Sequence, residues 1–424
     1  MLVEFSCVKC RIRQRRDTAA AGQCLRCRPL RLRIHHGQRV CARCESFDGQ
    51  QCSQRDGVCV EKVALGKQTC PLGRHQLPIV RPPVSSQFRR GRVGFLAVAY
   101  MPIGGTEVWH QTLLPLLSDV SGFVVLEPSL SGGDPTKLGC RFGVGMAAAQ
   151  QLAANVDVLV SWGVGARLGE VVRRSRPKVI SVSHCDDRSD WTIEMMAAQA
   201  PWTDQAVYLC PSGANTCPPG VPSQWIPNAP SPNRIIATQS RNANRKALGI
   251  GDGEIMLASV SRLSPEKGVD KLIGAIDCLP ERFRLVIAGT SAGWSADHGN
   301  ELRRLAGPRV SFVGNVDPPA DLLSAADAFL SASQYEGYGL SMAEALAAGV
   351  PLIATQTGFL ETFPSYARLV PHDATPATWA ESIRRDFQQP QKQHLRPHNA
   401  KLPTAHDFAR DWDRLIDRMR SEKE

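Results

Sequence analysis

From residue 93 onward the chain alternates short apolar runs with longer amphipathic stretches, and this alternation restricts the fold more than any other feature. Runs at 93–100, 122–126, 157–161, 178–183 and 205–210 predict strands, being short, apolar and bounded by turn residues. Between the first two, Leu113, Leu114 and Leu117 fall at helical spacing. Strands joined through helices run parallel, because each helix carries the chain back to the edge from which the next strand starts. A second series follows Ile226-Pro227-Asn228-Ala229-Pro230, with runs at 254–260 and 328–331. The expected fold class is therefore α/β, two Rossmann-like domains each built on a parallel sheet. Composition agrees: 43% hydrophobic and 21% charged residues exclude a disordered or fibrous chain. No window supplies the roughly eighteen consecutive apolar residues of a membrane helix, and the N-terminus lacks the pattern of a secretory signal, so a cytoplasmic location is expected.

The first 95 residues are different. They hold 19 Lys and Arg against 6 Asp and Glu, whereas the whole chain has a net charge of +10, so the remaining 329 residues carry −3. Such a basic segment suits a membrane surface or an acidic polymer; nucleic acid is disfavoured because aromatics for base stacking are nearly lacking there. Nine of the 14 cysteines also lie here: Cys7, Cys10, Cys24, Cys27, Cys41, Cys44, Cys52, Cys59 and Cys70. The first six form three Cys-apolar-basic-Cys pairs at a 17-residue period. Two thiolates separated by two residues can hold one tetrahedral ion from a single turn, and two turns complete a site. Structural zinc within residues 1–76 is the favoured reading, ahead of a disulfide framework, an iron–sulfur cluster or an unmetallated segment. Prolines and serines over 77–91 then mark a linker.

Three loops carry candidate chemistry. Gly104 and Gly105 follow the first strand and precede a helix, where a missing Cβ lets main chain approach a phosphate or sugar. In Ser261-Arg262-Leu263-Ser264-Pro265-Glu266-Lys267-Gly268, Arg262 and Lys267 stand at the carboxyl end of a strand, the edge at which open parallel sheets bind ligands. A guanidinium fork and an ammonium together can neutralise a diphosphate. Tyr335-Glu336-Gly337-Tyr338-Gly339-Leu340-Ser341-Met342-Ala343-Glu344 places two carboxylates eight positions apart, Glu336 in a loop and Glu344 one turn into a helix. Gly337 and Gly339 let the chain curl, and the amides near Leu340 open the helix toward a phosphate.

These residues together resemble the family 4 retaining glycosyltransferases of the GT-B fold, the glycosyl transferases of group 1. The resemblance runs from about residue 92 to 420. Gly104-Gly105-Thr106-Glu107 is similar to the family's Gly-Gly-x-Glu loop, Arg262 to Gly268 to its Arg-Leu-x-x-x-Lys-Gly motif, and Glu336 to Glu344 to its E-x7-E motif. Thr357-Gly358-Phe359-Leu360-Glu361 resembles the segment near the donor after the next strand, and Val182-Ser183-His184 the strand whose histidine approaches the sugar.

The resemblance implies two facing domains: an acceptor side at 92–228, a nucleotide-sugar-binding side at 229–400, and a C-terminal helix at 401–424 crossing back to the first. It implies transfer of a hexose from a nucleotide-diphosphate sugar to a glycan, lipid or small-molecule acceptor, with retention and without a catalytic metal or other cofactor. Glu336 and His184 would act on the sugar. The donor would be held by Gly104, Gly105, Arg262, Lys267, Gly337, Tyr338, Gly339, Leu340, Glu344, Thr357 and Gly358. The first domain is shorter than is usual in the family, and Pro227-Asn228-Ala229 stands where the family has Pro-Asn-Gly. A silent nucleotide-sugar-binding or zinc-knuckle docking protein is the alternative, and a nucleic-acid-associated protein a further one. Asp411-Trp412-Asp413 mimics a metal-binding D-x-D but, on a helix, is expected to be a solvated face.

Overall fold

In a computed structural model, the described residues are 88–422 apart from 102–103, 129–131, 292–294 and 389–400, together with four short strands near the N-terminus. The chain divides into two compact units, one comprising 1–82 and 129–134, the other 83–128 and 135–424. In the first, β1 (Leu2–Ser6) pairs antiparallel with β2 (Arg13–Asp17), and β3 (Leu32–His35) with β4 (Gln38–Cys41). The side chains of the nine N-terminal cysteines, and so the suspected zinc sites, lie outside the described residues.

The second unit contains two wholly parallel sheets. The first joins β5 (Gly91–Ala97), β6 (Val120–Val125), β7 (Phe142–Val144), β8 (Val156–Trp162), β9 (Lys178–Ser183), β10 (Gln205–Tyr208) and β11 (Ser223–Trp225), in the order β11-β10-β9-β8-β5-β6-β7. The second joins β12 (Ile255–Val260), β13 (Phe283–Ala288), β14 (Val310–Gly314), β15 (Ala328–Ser331), β16 (Leu352–Ala354) and β17 (Arg368–Leu369), in the order β14-β13-β12-β15-β16-β17. In both, the order reverses beside the first strand, the topological switch that opens a ligand crevice at the carboxyl edge. Strands β5 and β15 are buried along their whole length, which explains why they are apolar runs rather than alternating ones.

The final helix, α1 (Ala405–Ser421), starts at a reciprocal capping box between Thr404 and Asp407. Its buried stripe of Phe408, Trp412, Leu415, Ile416 and Met419 packs toward the first sheet, where Trp412 and Phe408 meet the ring of Trp109 at 5.3 and 6.2 Å. The carboxylates of Asp411 and Asp413 are partly exposed, in keeping with a solvated face, while the residue between them belongs to the buried stripe. Trp412 is fully buried, and Asp413 pairs with the buried Arg92 of β5, which also reaches Asp417 at 2.8 Å. Asp413 and Asp417 thus serve helix docking, while Asp411 pairs with Arg414 of its own helix at 3.5 Å. Among the described residues, no group of three or more His, Cys, Asp or Glu could hold a metal ion, and no helix is long and apolar enough to cross a membrane.

Candidate functional site

The site is assembled from loops at the carboxyl ends of strands. After β12, the turn Pro265–Lys267 ends at Gly268, whose φ of +60° is left-handed and whose absent Cβ would lie 2.4 Å from the carbonyl oxygen of Ala332. That close approach brings Lys267 beside the loop leaving β15. Its Nζ donates to Glu336 Oε1 at 2.7 Å, and Ser333 Oγ donates to the same oxygen at 2.8 Å. Lys267 and Glu336 are both largely buried. Arg262 is half-exposed and donates to Glu266 at 3.2 Å.

Glu344 lies in α2 (Leu340–Ala347), only 2% exposed. Burial raises its pKa, and the neighbouring Arg234 guanidinium opposes that shift. Arg234 Nε donates to Glu344 Oε1 at 2.5 Å. Tyr338 and Leu340 turn their side chains into the core, and the Tyr338 carbonyl accepts from the Phe359 N–H at 2.9 Å. Gly339, left-handed, caps α2, and Gly358, also left-handed, packs against the Tyr338 carbonyl.

On the first sheet, His184 follows β9 and sits edge-on to Trp109 at 5.0 Å and Trp162 at 5.6 Å. Burial, with the nearby His110 adding, holds its pKa well below the usual imidazole range, so the ring is neutral. The two domains touch through these loops. A Cβ on Gly337 would lie 1.8 Å from the His184 carbonyl oxygen, a separation only glycine permits. Ser212 adds a second tie, donating its N–H and hydroxyl to Glu361 at 2.8 and 2.7 Å.

Gly104 and Gly105 open the first helix of the same domain. Behind them Glu107 is buried, with Oε1 accepting from the Met101 N–H at 2.9 Å. Burial raises its pKa, while that N–H and the positive charge of Arg262 pull it partly back. Glu107 and Arg262 of the other domain therefore share one electrostatic neighbourhood. His184 Nε2, Thr357 Oγ1 and Tyr338 Oη are buried without a hydrogen-bond partner among the described residues. Orphaned buried polar atoms are uncommon in folded proteins, and a bound polar ligand is one way to satisfy them.

The structure thus brings Lys267, Glu336, Gly337 and His184 together where loops of the two sheets meet, with Arg262, Glu344 and Thr357 on adjoining elements. Sequence reasoning does not single out Arg234, Ser333 or the Trp109–Trp162 cage around His184. None belongs to a spaced motif, and each acquires meaning only through a contact distant in the chain.

Residues 240–401 match the family described as glycosyl transferases group 1. The chain is 29% identical over 159 residues to the lipopolysaccharide core biosynthesis mannosyltransferase LpsB of Rhizobium meliloti, covering 35% of this chain and 45% of that protein. It is 36% identical over 161 residues to a D-inositol 3-phosphate glycosyltransferase of Jonesia denitrificans, covering 34% and 38% respectively. The chain spans less than half the length of these curated relatives. A crystal structure of Anabaena HepE in complex with UDP and glucose aligns with a TM-score of 0.64 and 17% identity, over 78% of this chain and 99% of that one. At such identity the likeness is one of fold. Residues 240–401 are thus similar to glycosyl transferases group 1, within a body of two parallel sheets consistent with the GT-B glycosyltransferase fold.

Proposed function

We propose that the chain is a retaining glycosyltransferase that moves a hexose from a nucleoside-diphosphate sugar to a glycan, lipid or small-molecule acceptor. The observation that carries this reading is the convergence of Lys267, Glu336 and His184 where Gly337 meets the His184 backbone. Arg262 and Lys267 would supply the cations that a departing diphosphate needs, a role that otherwise falls to a divalent metal. When the donor enters, Lys267 exchanges part of its contact with Glu336 for phosphate oxygens. Glu336 then faces the sugar and supports positive charge developing at its anomeric carbon. Glu344 accepts from ribose hydroxyls, and the neutral His184 offers Nε2 to a sugar hydroxyl. The bond from the anomeric carbon to the phosphate oxygen breaks, a bond to the acceptor oxygen forms on the same face, and the acceptor proton passes to the departing phosphate.

HepE was crystallised with UDP and glucose, which makes a uridine donor the first to try. The test is a panel of UDP-, GDP- and ADP-hexoses followed by thermal stabilisation and slow donor hydrolysis. Stabilisation with hydrolysis is expected for one donor. Stabilisation without turnover by any donor would favour a silent binding protein, and no stabilisation at all would remove the reading.

A further inference from the structure

Glu344 is a nearly fully buried carboxylate, and a buried charge is costly unless something compensates it. The compensation comes from outside its own domain's motifs. Arg234 stands in the short turn Pro232–Arg234, on the connector leaving the first sheet, and its largely buried guanidinium meets two carboxylates through different nitrogens. Nε donates to Glu344 Oε1 at 2.5 Å, and Nη1 donates to Asp317. Asp317 in turn accepts from Lys137 Nζ at 2.8 Å, a residue of the first domain. Two cations and two carboxylates balance within this chain of contacts. Both the hydrogen bond and the ion pair with Arg234 run through Oε1, which leaves Oε2 outside the guanidinium's grip.

We infer that Arg234 is the positioning residue for Glu344: gripped by Asp317, it fixes one carboxylate oxygen so that the other is aimed at a ribose hydroxyl of the bound nucleoside diphosphate. A guanidinium suits this role because its donors lie in one rigid plane, and Lys would offer only a mobile point charge. The inference rests on the proposed reading of Glu344 as the ribose-binding group. It predicts that recognition of the ribose hydroxyls, and not of the phosphates, depends on Arg234. In the proposed reading the phosphates fall to Arg262 and Lys267, whereas Arg234 pairs with Glu344 and Asp317.

The test measures dissociation constants for whichever of UDP, GDP or ADP binds the full chain best, for its 2′-deoxy and 3′-deoxy analogues, and for inorganic pyrophosphate. Wild type should prefer the ribonucleotide over at least one deoxy analogue by about tenfold, within the span of a hydrogen bond to a charged group. In Arg234→Gln that preference should shrink below about threefold, with Arg234→Lys between the two, while pyrophosphate binding stays within about threefold of wild type. Preserved discrimination in Arg234→Gln would overturn the positioning role and leave the proposed function standing. Equal binding of ribo- and deoxyribonucleotides by wild type would instead remove Glu344 as the ribose-binding group. Should Arg234→Gln fail to fold, Asp317→Asn, which releases the far end of the guanidinium and the Lys137 ammonium but leaves the Arg234–Glu344 contact, should lose part of the preference and keep pyrophosphate. Loss of both ligands in Asp317→Asn would mark the cluster as structural only.

Discussion

Removing the ammonium of Lys267 has two consequences of different size. Its Nζ is 2.7 Å from Glu336 Oε1 in a largely buried pair, so Lys267→Ala leaves a carboxylate supported only by Ser333 Oγ at 2.8 Å. An uncompensated, mostly buried charge costs about 1–3 kcal/mol, less than a fully buried pair because some exposure and the hydroxyl remain. For a unit of this size that lowers the thermal midpoint by a few degrees. The effect on chemistry is larger. A cation that stabilises a leaving diphosphate in a preorganised site is worth about 2.7–4 kcal/mol, or roughly 10²- to 10³-fold in turnover. The assay is donor hydrolysis beside a thermal melt for Lys267→Ala, Glu336→Gln and the double variant. The double variant leaves no lone charge, so its loss of stability should be smaller than the sum of the single losses, while hydrolysis stays lowered by at least about 10²-fold. Hydrolysis by Lys267→Ala within about threefold of wild type, or strictly additive stability losses, would refute the reasoning.

His110 is buried, its Nδ1 lies 2.8 Å from the Thr106 carbonyl oxygen, and burial depresses its pKa to about 3. The folded state then binds fewer protons than the unfolded state between about pH 3 and the ordinary value near 6.5, so stability is full above that value and falls as pH drops below it. The slope approaches about 1.4 kcal/mol per pH unit for this residue, and His110→Asn should flatten the pH dependence of the melt between pH 6.5 and 5. Trp412→Ala should cost about 3–5 kcal/mol by opening a cavity where α1 docks, seen as a lower thermal midpoint; a loss below about 1 kcal/mol would contradict the docking account. Gly337→Ala should leave the fold intact but displace the motif loop from His184, lowering donor hydrolysis at least about tenfold, because a Cβ there would overlap a main-chain oxygen rather than a movable side chain. For the cysteine-rich segment, metal analysis of purified protein should find one to two zinc ions per chain, and chelation should leave nucleotide binding unchanged; metal-free protein with all nine thiols titratable would remove that proposal.

Much of the architecture can be read directly from the chain, for a physical reason. Buried parallel strands have to be apolar on both faces, and 178–183 and 328–331 coincide with β9 and β15. The run at 93–100 overshoots, since β5 ends at Ala97. Strands β7 and β11 escape sequence reading because each has only three residues, too few for a period, and β11 is exposed at both ends; neighbouring strands hold them in place. At the site, the spacing of Glu336 and Glu344 is visible because both belong to one loop and helix. Arg234 is not visible, as its partner Glu344 lies 110 positions away and nothing local marks it. The same limit applies to His184: its place after a strand is legible, but the two tryptophans that desolvate it come from separate elements.

The most direct measurement is proton NMR of a nucleoside-diphosphate hexose incubated with the protein, followed from the first minutes. The account predicts that nucleoside diphosphate and free hexose are released together and that the first hexose formed has the donor's anomeric configuration, with both signals lost in Lys267→Ala. Initial release of the opposite anomer would contradict retention, and an unchanged spectrum with a donor shown to bind would contradict the transferase itself.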